Sequence, residues 1–288
     1  MKNLTVIIPH FNDVDRLERL IKTIPDTNDI EIIVVDDRST VNIKERFQCR
    51  DNVKIYINQE KKGAGTCRNL GLSKAKGKWV IFSDSDDYFE KDSFYYIAQR
   101  FKSDSDLIYF KANSFYEGTL NKSTRHESIN NIIDNDLSSA KYRSLTPWCK
   151  MINMNLLSKN NILFDEQIVA NDIMFSARLS DYVKKVDKID RKLYKISDSP
   201  GSLTRTSSKE RLRIRYETEI SLNEFYAERS LHKYQHSVIS LLLLYWCVIN
   251  YNDFKFLLSQ CFKRNFVFVH KKKLTFKKLK KAMKNKIA

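Results

Sequence analysis

Three aspartates in four positions, Asp84-Ser85-Asp86-Asp87, directly follow the apolar run Trp79–Ser83. Carboxylates this close repel one another unless a cation lies between them. Hard oxygen ligands suit Mg²⁺ or Mn²⁺, ions that accept few protein ligands and complete their shell from a substrate diphosphate. Asp84 and Asp86 are read in this way, and Asp87 as the cap of a helix expected over Tyr88–Arg100. A second acidic pair, Asp36-Asp37, closes the apolar run Glu31–Val35, where a turn or a helix start is an equally good explanation of either residue taken alone. Two acidic strand ends on one sheet carry more weight, because ligands of open α/β sheets gather at the carboxyl ends of strands.

Glycine adds a second signal. The chain has six glycines, and four of them (Gly63, Gly65, Gly71, Gly77) fall within fifteen residues. Backbone that must pass close to something needs residues without a Cβ. Gly63 and Gly65 fit a loop cradling phosphates or sugar, or else the entry to a helix; Gly77 is read as the stop of the helix that ends at Lys76. No GxxxxGK[ST] occurs, and Gly63-x-Gly65-x-x-Arg68 lacks the third glycine of a dinucleotide fingerprint, which disfavours a P-loop enzyme and a dehydrogenase.

The elements that must position these groups are legible as alternating runs. Leu4–Ile8, Glu31–Val35, Val53–Ile57 and Trp79–Ser83 are unbroken apolar or β-rich stretches, the pattern of parallel strands covered on both faces. Helical spacing over Asp13–Ile24, around Val41–Phe47 and over Ala64–Lys76 separates them, so the first 110 residues predict a doubly wound α/β unit closed by a strand at Leu107–Phe110. Residues 111–145 are polar and rich in Asn, Ser and Asp, and are read as an irregular insertion. Helices are expected at Asn153–Lys159 and Asn171–Tyr182, a strand at Lys188–Ile196, and helices alone from Ser207 onward. The domain reading is 1–206 for an α/β unit, divided into 1–110 and 111–206, and 207–288 for a helical extension.

The formal charge of +16 is concentrated at one end. From Lys263 on there are eleven Lys or Arg and no acidic residue, leaving 40 basic against 35 acidic groups in the preceding 262 residues. Five widely spaced cysteines without a CxxC pair argue against a disulfide framework and a zinc site, and fit a reducing cytoplasm. No signal peptide is expected at the N-terminus, and the longest apolar stretch, Val238–Ile249, falls short of the ~20 residues that span a bilayer and predicts a buried helix.

Four segments together resemble a family 2 glycosyltransferase of the GT-A fold, of the type that builds bacterial capsule and surface polysaccharides. They are Val6-Ile7-Ile8-Pro9-His10-Phe11-Asn12, Val34-Val35-Asp36-Asp37-Arg38-Ser39, Gly63-Ala64-Gly65-Thr66-Cys67-Arg68-Asn69-Leu70-Gly71 and Phe82-Ser83-Asp84-Ser85-Asp86-Asp87, in the family's order and spacing over about 90 residues. A weaker echo runs through Pro147-Trp148-x-Lys150, Phe164-Asp165-Glu166, Asn171-Asp172 and Gly201-Ser202-Leu203-Thr204.

The resemblance implies a mainly parallel mixed sheet with helices on both faces, and a metal-dependent inverting transfer of one sugar from a nucleotide sugar, with a leaning to UDP. Pro9 and Phe11 would line the nucleotide pocket, Asp36 or Asp37 would read base and ribose, and Gly63, Gly65, Arg68 and Ser85 would lie along the donor. Asp84 would touch ribose and metal, and Asp86 would be the principal ligand of Mn²⁺ or Mg²⁺. The family's Glu-Asp at a helix start stands here as Asn171-Asp172, which keeps Asp172 as the base; the alternative for Asp172 is a helix cap. The QxxRW motif of processive synthases is absent, which implies single additions.

The implied acceptor is a glycan or lipid-linked glycan. The nine lysines of Lys271–Lys286 around Leu274, Phe276, Leu279 and Met283 would hold the enzyme peripherally on the anionic inner face of the cytoplasmic membrane. A nucleic-acid partner is not expected, because the tail does not interleave enough aromatics with its lysines and the acidic clusters repel phosphate. An inactive scaffold of the same fold is disfavoured by the intact acidic motifs.

Overall fold

A computed structural model of the chain describes residues 2–47, 49–119, 121–199 and 208–270, which fall into two compact units, 1–199 and 200–288. In the first, β1 (Lys2–His10), α1 (Val14–Lys22), β2 (Ile30–Asp36), β3 (Val53–Ile57), α2 (Ala64–Lys74) and β4 (Gly77–Phe82) alternate as the apolar runs predict. They are followed by β5 (Tyr88–Phe89), α3 (Ser93–Ala98), β6 (Leu107–Tyr116), α4 (Glu127–Asn135), α5 (Leu137–Arg143), β7 (Lys150–Asn153), α6 (Met154–Lys159), α7 (Ile173–Tyr182) and β8 (Val186–Asp198). One sheet runs in the order β3-β2-β1-β4-β7-β6-β8-β5. Its first four strands are parallel, β6 and β8 are also parallel, and β7 runs antiparallel to both of its neighbours.

Every residue of β2 is buried, so both sheet faces are covered there, as its uninterrupted Ile and Val run requires. The register pairs His10 with Asp36, Asp36 with Ile57 and Ile7 with Phe82, which brings the carboxyl ends of β1 to β4 to one edge. Just beneath that edge three rings interlock. Phe164 and Phe175 stack at 3.8 Å, and Phe82 meets them edge-on at 4.9 and 5.6 Å. They tie the end of β4, the loop before residue 172, and α7 into one piece.

Several sequence expectations are corrected. Val41–Phe47 forms only a 3₁₀ turn at Lys44–Phe47, because its apolar residues bury only Ile43 and Phe47 and leave Val41 exposed. Residues 111–145 are not an irregular insertion: β6 continues to Tyr116, and α4 buries Ile129, Ile132 and Ile133 at helical spacing. The helix over Tyr88–Arg100 is shortened to Ser93–Ala98, since Tyr88 and Phe89 pair with β8 as a strand. Gly77 does not stop a helix but opens β4, and a Cβ on it would stand 2.5 Å from the Thr5 nitrogen of β1.

The second unit contains α8 (Lys209–Glu228), α9 (Val238–Tyr245) and α10 (Tyr251–Phe262). They share a small core of Leu212, Tyr216, Val238, Leu241, Tyr245, Leu257 and Phe266. α10 begins with a capping box, in which Asn250 and Asp253 bond each other's backbone nitrogens at 2.9 and 2.8 Å. Arg213 of α8 pairs with Asp253, fixing α10 against α8. No helix among the described residues is long and apolar enough to cross a membrane. The lysines of Lys271–Lys286 and the segment Gly201–Thr204 lie outside the described residues.

Candidate functional site

Asp84 to Asp87 form a tight turn off the end of β4, closed by the Asp87 nitrogen donating to the Asp84 carbonyl at 3.1 Å. The turn brings a carboxylate oxygen from each of Asp84, Asp86 and Asp87 within 4.8 Å of the others. Burial, and after it the charge of Asp84, push the Asp86 carboxyl up to about 6. Asp84 and Asp86 keep about a third of their side-chain surface open. Asp87 does not: it is buried, precedes a strand rather than a helix, and accepts the Ser197 nitrogen of β8 at 2.7 Å. The helix-cap reading of Asp87 is therefore corrected, and its carboxylate pins the turn to the neighbouring strand.

At the end of β2, Asp37 accepts the Asn58 amide at 2.8 Å and the Gly63 nitrogen at 2.9 Å, and its own nitrogen donates to the His10 carbonyl. Asp36 accepts the backbone nitrogen and the hydroxyl of Ser39. Beyond β1, after Pro9 and His10, the Phe11 ring is 45% exposed, with the Lys62 ammonium 3.4 Å from its centroid.

Helix α2 joins the two acidic groups. Gly63 at its start, held at φ +148° where only glycine is at ease, bonds Asp37, and one turn later Arg68 donates to Asp84 at 2.7 Å and to the side-chain Oδ1 of Asn171 at 2.9 Å. Arg68 is buried, with its guanidinium over the Phe164 ring. A Cβ on Gly65 would stand 2.2 Å from the Asp165 carbonyl, so what passes close to Gly65 is the chain's own loop before Asn171. Asn69 reinforces that contact by exchanging two hydrogen bonds with the Phe164 backbone.

Asp172 stands at the N-cap position of α7, with its backbone carbonyl accepting the Ser176 nitrogen at 3.0 Å, but its side chain makes no capping hydrogen bond. Burial raises its carboxyl above the ordinary carboxylate range; Arg68 and Lys150 pull it down and Asp84 adds to the rise. The fully buried Lys150 donates to the Ser144 carbonyl at 2.6 Å and to the Ser176 hydroxyl at 3.3 Å, and burial drives its ammonium down to about 7.

Sequence reasoning missed a basic face. Arg19 of α1 donates to the Asp86 carbonyl at 2.6 Å and to both Glu117 carboxylate oxygens, and Arg16 lies 3.8 Å from the Asp86 carboxylate. Both stand at i, i+3 on the side of α1 away from Leu17, Leu20 and Ile21, and that spacing was the available signal. Glu117, which also accepts the Ser197 hydroxyl at 2.6 Å, lies in the segment read as irregular.

The family model described as glycosyl transferase family 2 matches residues 5–160. A cholesterol galactosyltransferase of Borreliella burgdorferi is 28% identical over 240 residues, 76% of this chain. The chain spans 65% of the length of that relative, and 31% and 34% of two other curated relatives. Among solved structures, residues 1–349 of S. aureus TarS in complex with UDP-GlcNAc superpose with a TM-score of 0.62 at 23% identity, covering 79% of this chain and 71% of that one. The mannosyltransferase PcManGT of Pyrobaculum calidifontis, in complex with GDP-Man and Mn²⁺, gives 0.58 at 13% identity over 98% of this chain and 85% of that one.

Proposed function

The chain belongs to glycosyl transferase family 2, and from that premise we propose that it is an inverting transferase moving one sugar from a nucleotide sugar, UDP-linked, to a glycan or lipid-linked glycan of the bacterial surface. Its fold is the GT-A-like mixed α/β sheet of its structural neighbours. The observation that supports the proposal is the chain of contacts from Asp37 through α2 to Asp84 and Asn171, which links the β2 end, the carboxylate cluster and the residue before Asp172.

The carboxylate cluster fits a divalent cation, Mn²⁺ or Mg²⁺. Two carboxylates with open surface share the site with the buried Asp87, their oxygens within 4.8 Å of one another, and oxygen donors so gathered suit a hard divalent ion. Asp86 and Asp84 would hold the ion, which when bound supplies positive charge to the departing diphosphate. Phe11 offers an exposed ring for the nucleotide base, beside Pro9, and Asp36 and Asp37 offer acceptors for base and ribose. Gly63 and Arg68 would set the donor wall, Gly65 leaves room for the chain's own loop at Asp165, and Ser85 stands in the turn between the two ligands. Asp172 takes the acceptor hydroxyl proton while that oxygen attacks the anomeric carbon opposite the diphosphate, which leaves with the bonding electron pair. Arg16 adds a cation near Asp86 on the leaving-group side.

Residues 1–110 would then serve the donor and 111–206 the acceptor and base, with 207–288 and its lysine-rich end meeting the anionic inner face of the cytoplasmic membrane. A UDP leaving group agrees with TarS as solved, and an anionic surface with the charge of the C-terminal residues. The test is a screen of common nucleotide sugars with Mn²⁺, reading nucleotide release. UDP release from one donor, abolished by EDTA, is expected; no release from any nucleotide sugar overturns the proposal.

A further inference from the structure

Helix α10 shows solvent the wrong kind of surface. Tyr251, Phe254, Leu258 and Phe262 follow one another at spacings of three, four and four, and Lys255 stands four residues after Tyr251 and three before Leu258, which places all five along a single stripe of the helix. Tyr251 is 68%, Phe254 42% and Phe262 86% exposed, while Leu257 on the other side is the residue buried in the helical core. Trp246, at the end of α9, adds a ring 61% exposed. Single exposed aromatics are ordinary, but an ordered row of them marks a surface that is covered in use.

Charge identifies the cover. From Phe254 to the C-terminus the sequence has twelve Lys or Arg and no Asp or Glu. The one carboxylate at the start of α10, Asp253, is spent on Arg213. Lys255 stands within the stripe with its ammonium 4.6 Å from the Tyr251 centroid, and Lys263 and Arg264 follow directly. Trp, Tyr and Phe beside Lys and Arg are the side chains that sit at the boundary between headgroup and acyl chain, rings inward and ammonium groups toward lipid phosphate.

We propose that the α10 stripe, with Trp246, is a membrane-docking face that inserts its rings into the interface of an anionic bilayer. This deepens the membrane-surface reading given above and moves its apolar component from the lysine-rich end to α10. Lysines alone would give binding that salt screens away; rings buried among acyl chains hold on after screening.

The full chain is compared with a Tyr251→Ser, Phe254→Ser, Phe262→Ser variant by co-sedimentation with phosphatidylglycerol–phosphatidylcholine vesicles at about 0.1 M and about 0.5 M salt, concentrations bracketing strong and weak screening. The wild type is expected to stay bound at the higher salt, and the variant to bind at least about tenfold more weakly there, as for the loss of about 1.4 kcal/mol or more. Tryptophan emission of the wild type should shift to the blue on vesicles. Trp79 and Trp148 are buried, so the shift reports Trp246. The substituted positions are exposed, so matching thermal melts establish that the variant is folded.

Equal binding of the two proteins, or wild-type binding that vanishes at the higher salt, overturns the proposal. So does a wild-type dimer in solution that the three substitutions convert to monomer, since a second copy would then cover the stripe. Nucleotide release from soluble donor is expected to be the same in both proteins, so failure of the docking face and failure of the transferase reading are told apart.

Discussion

Replacing Lys150 by Met should make the stability of the protein depend on pH in a way that can be worked out beforehand. The side chain is fully buried and its ammonium is driven from the ordinary 10.5 down to about 7, chiefly by burial. Below about pH 7 the folded and unfolded chains both hold the proton, and the fold carries the whole cost of a buried charge. Between about 7 and 10.5 the unfolded chain keeps the proton while the folded chain gives it up, so stability rises with pH through that window. At about 1.4 kcal/mol per pH unit, the interval amounts to on the order of 5 kcal/mol. Methionine keeps the length of the side chain and removes both the charge and the bonds to Ser144 and Ser176, which are worth about 1–2 kcal/mol together.

The substitution should therefore be near neutral or stabilising at pH 7 and clearly destabilising at pH 10. The advantage of the wild type should grow by about 1 kcal/mol per pH unit between them. Urea denaturation of both proteins from pH 6.5 to 10 reads this, because titrating groups remote from Lys150 cancel in the difference, while Asp172 and Cys149, which feel its charge, do not. A difference that stays constant across the window would refute the reasoning and show that Lys150 remains charged in the folded chain.

The other expectations concern the site. Asp86→Ala should lower turnover at least ~10²-fold, the order seen when a main electrostatic stabiliser is lost, and EDTA should match it; full activity in EDTA would remove the metal from the proposal. Asp172→Asn should abolish transfer while leaving UDP affinity by calorimetry nearly unchanged, since shape is kept and a proton acceptor is lost. In the wild type, kcat/KM should fall with decreasing pH at a value above the ordinary carboxylate range, because burial raises Asp172 and its working form is the deprotonated one; a fall at about 4 would contradict that role. Gly65→Ala should cost about 1–3 kcal/mol in thermal unfolding, as its Cβ would meet the Asp165 carbonyl, whereas a neutral result would mean that the loop before Asn171 shifts freely.

What the sequence disclosed depended on how local each feature is. The parallel strands were readable because a doubly covered strand must be apolar throughout, and β2 is buried at every position. Asp84 and Asp86 were readable because a four-residue turn keeps the carboxylates adjacent in sequence and space alike. Glu117 and Arg19 were not, since each acquires its place through the other across 98 residues. The helix stop at Gly77 was misjudged and the close packing at Gly65 went unseen for the same reason: the atoms that exclude a Cβ belong to Thr5 and Asp165, which no local window contains. α4 was lost to composition, its three isoleucines outnumbered by the polar residues of its exposed face.

The hydrogen bond from Arg68 to Asn171 spans 103 residues, and those between Asn69 and Phe164 span 95. Contacts this far apart pay a large loop-closure entropy before they return anything, so they form late, after the local turns and the β1–β2 pairing. A nascent chain would hold the Asp84–Asp87 turn and the Asp36-Asp37 strand end well before residues 160–175 close over α2. The closures that complete the site, Arg68 to Asn171 and, across 110 residues, Ser197 to Asp87, would then be late events in maturation. A polypeptide stalled short of that closure would keep Arg68 on Asp84, across 16 residues, and lack its anchor on Asn171, and would be recognisable in refolding experiments as a phase in which the β1–β4 strands form before nucleotide binding recovers.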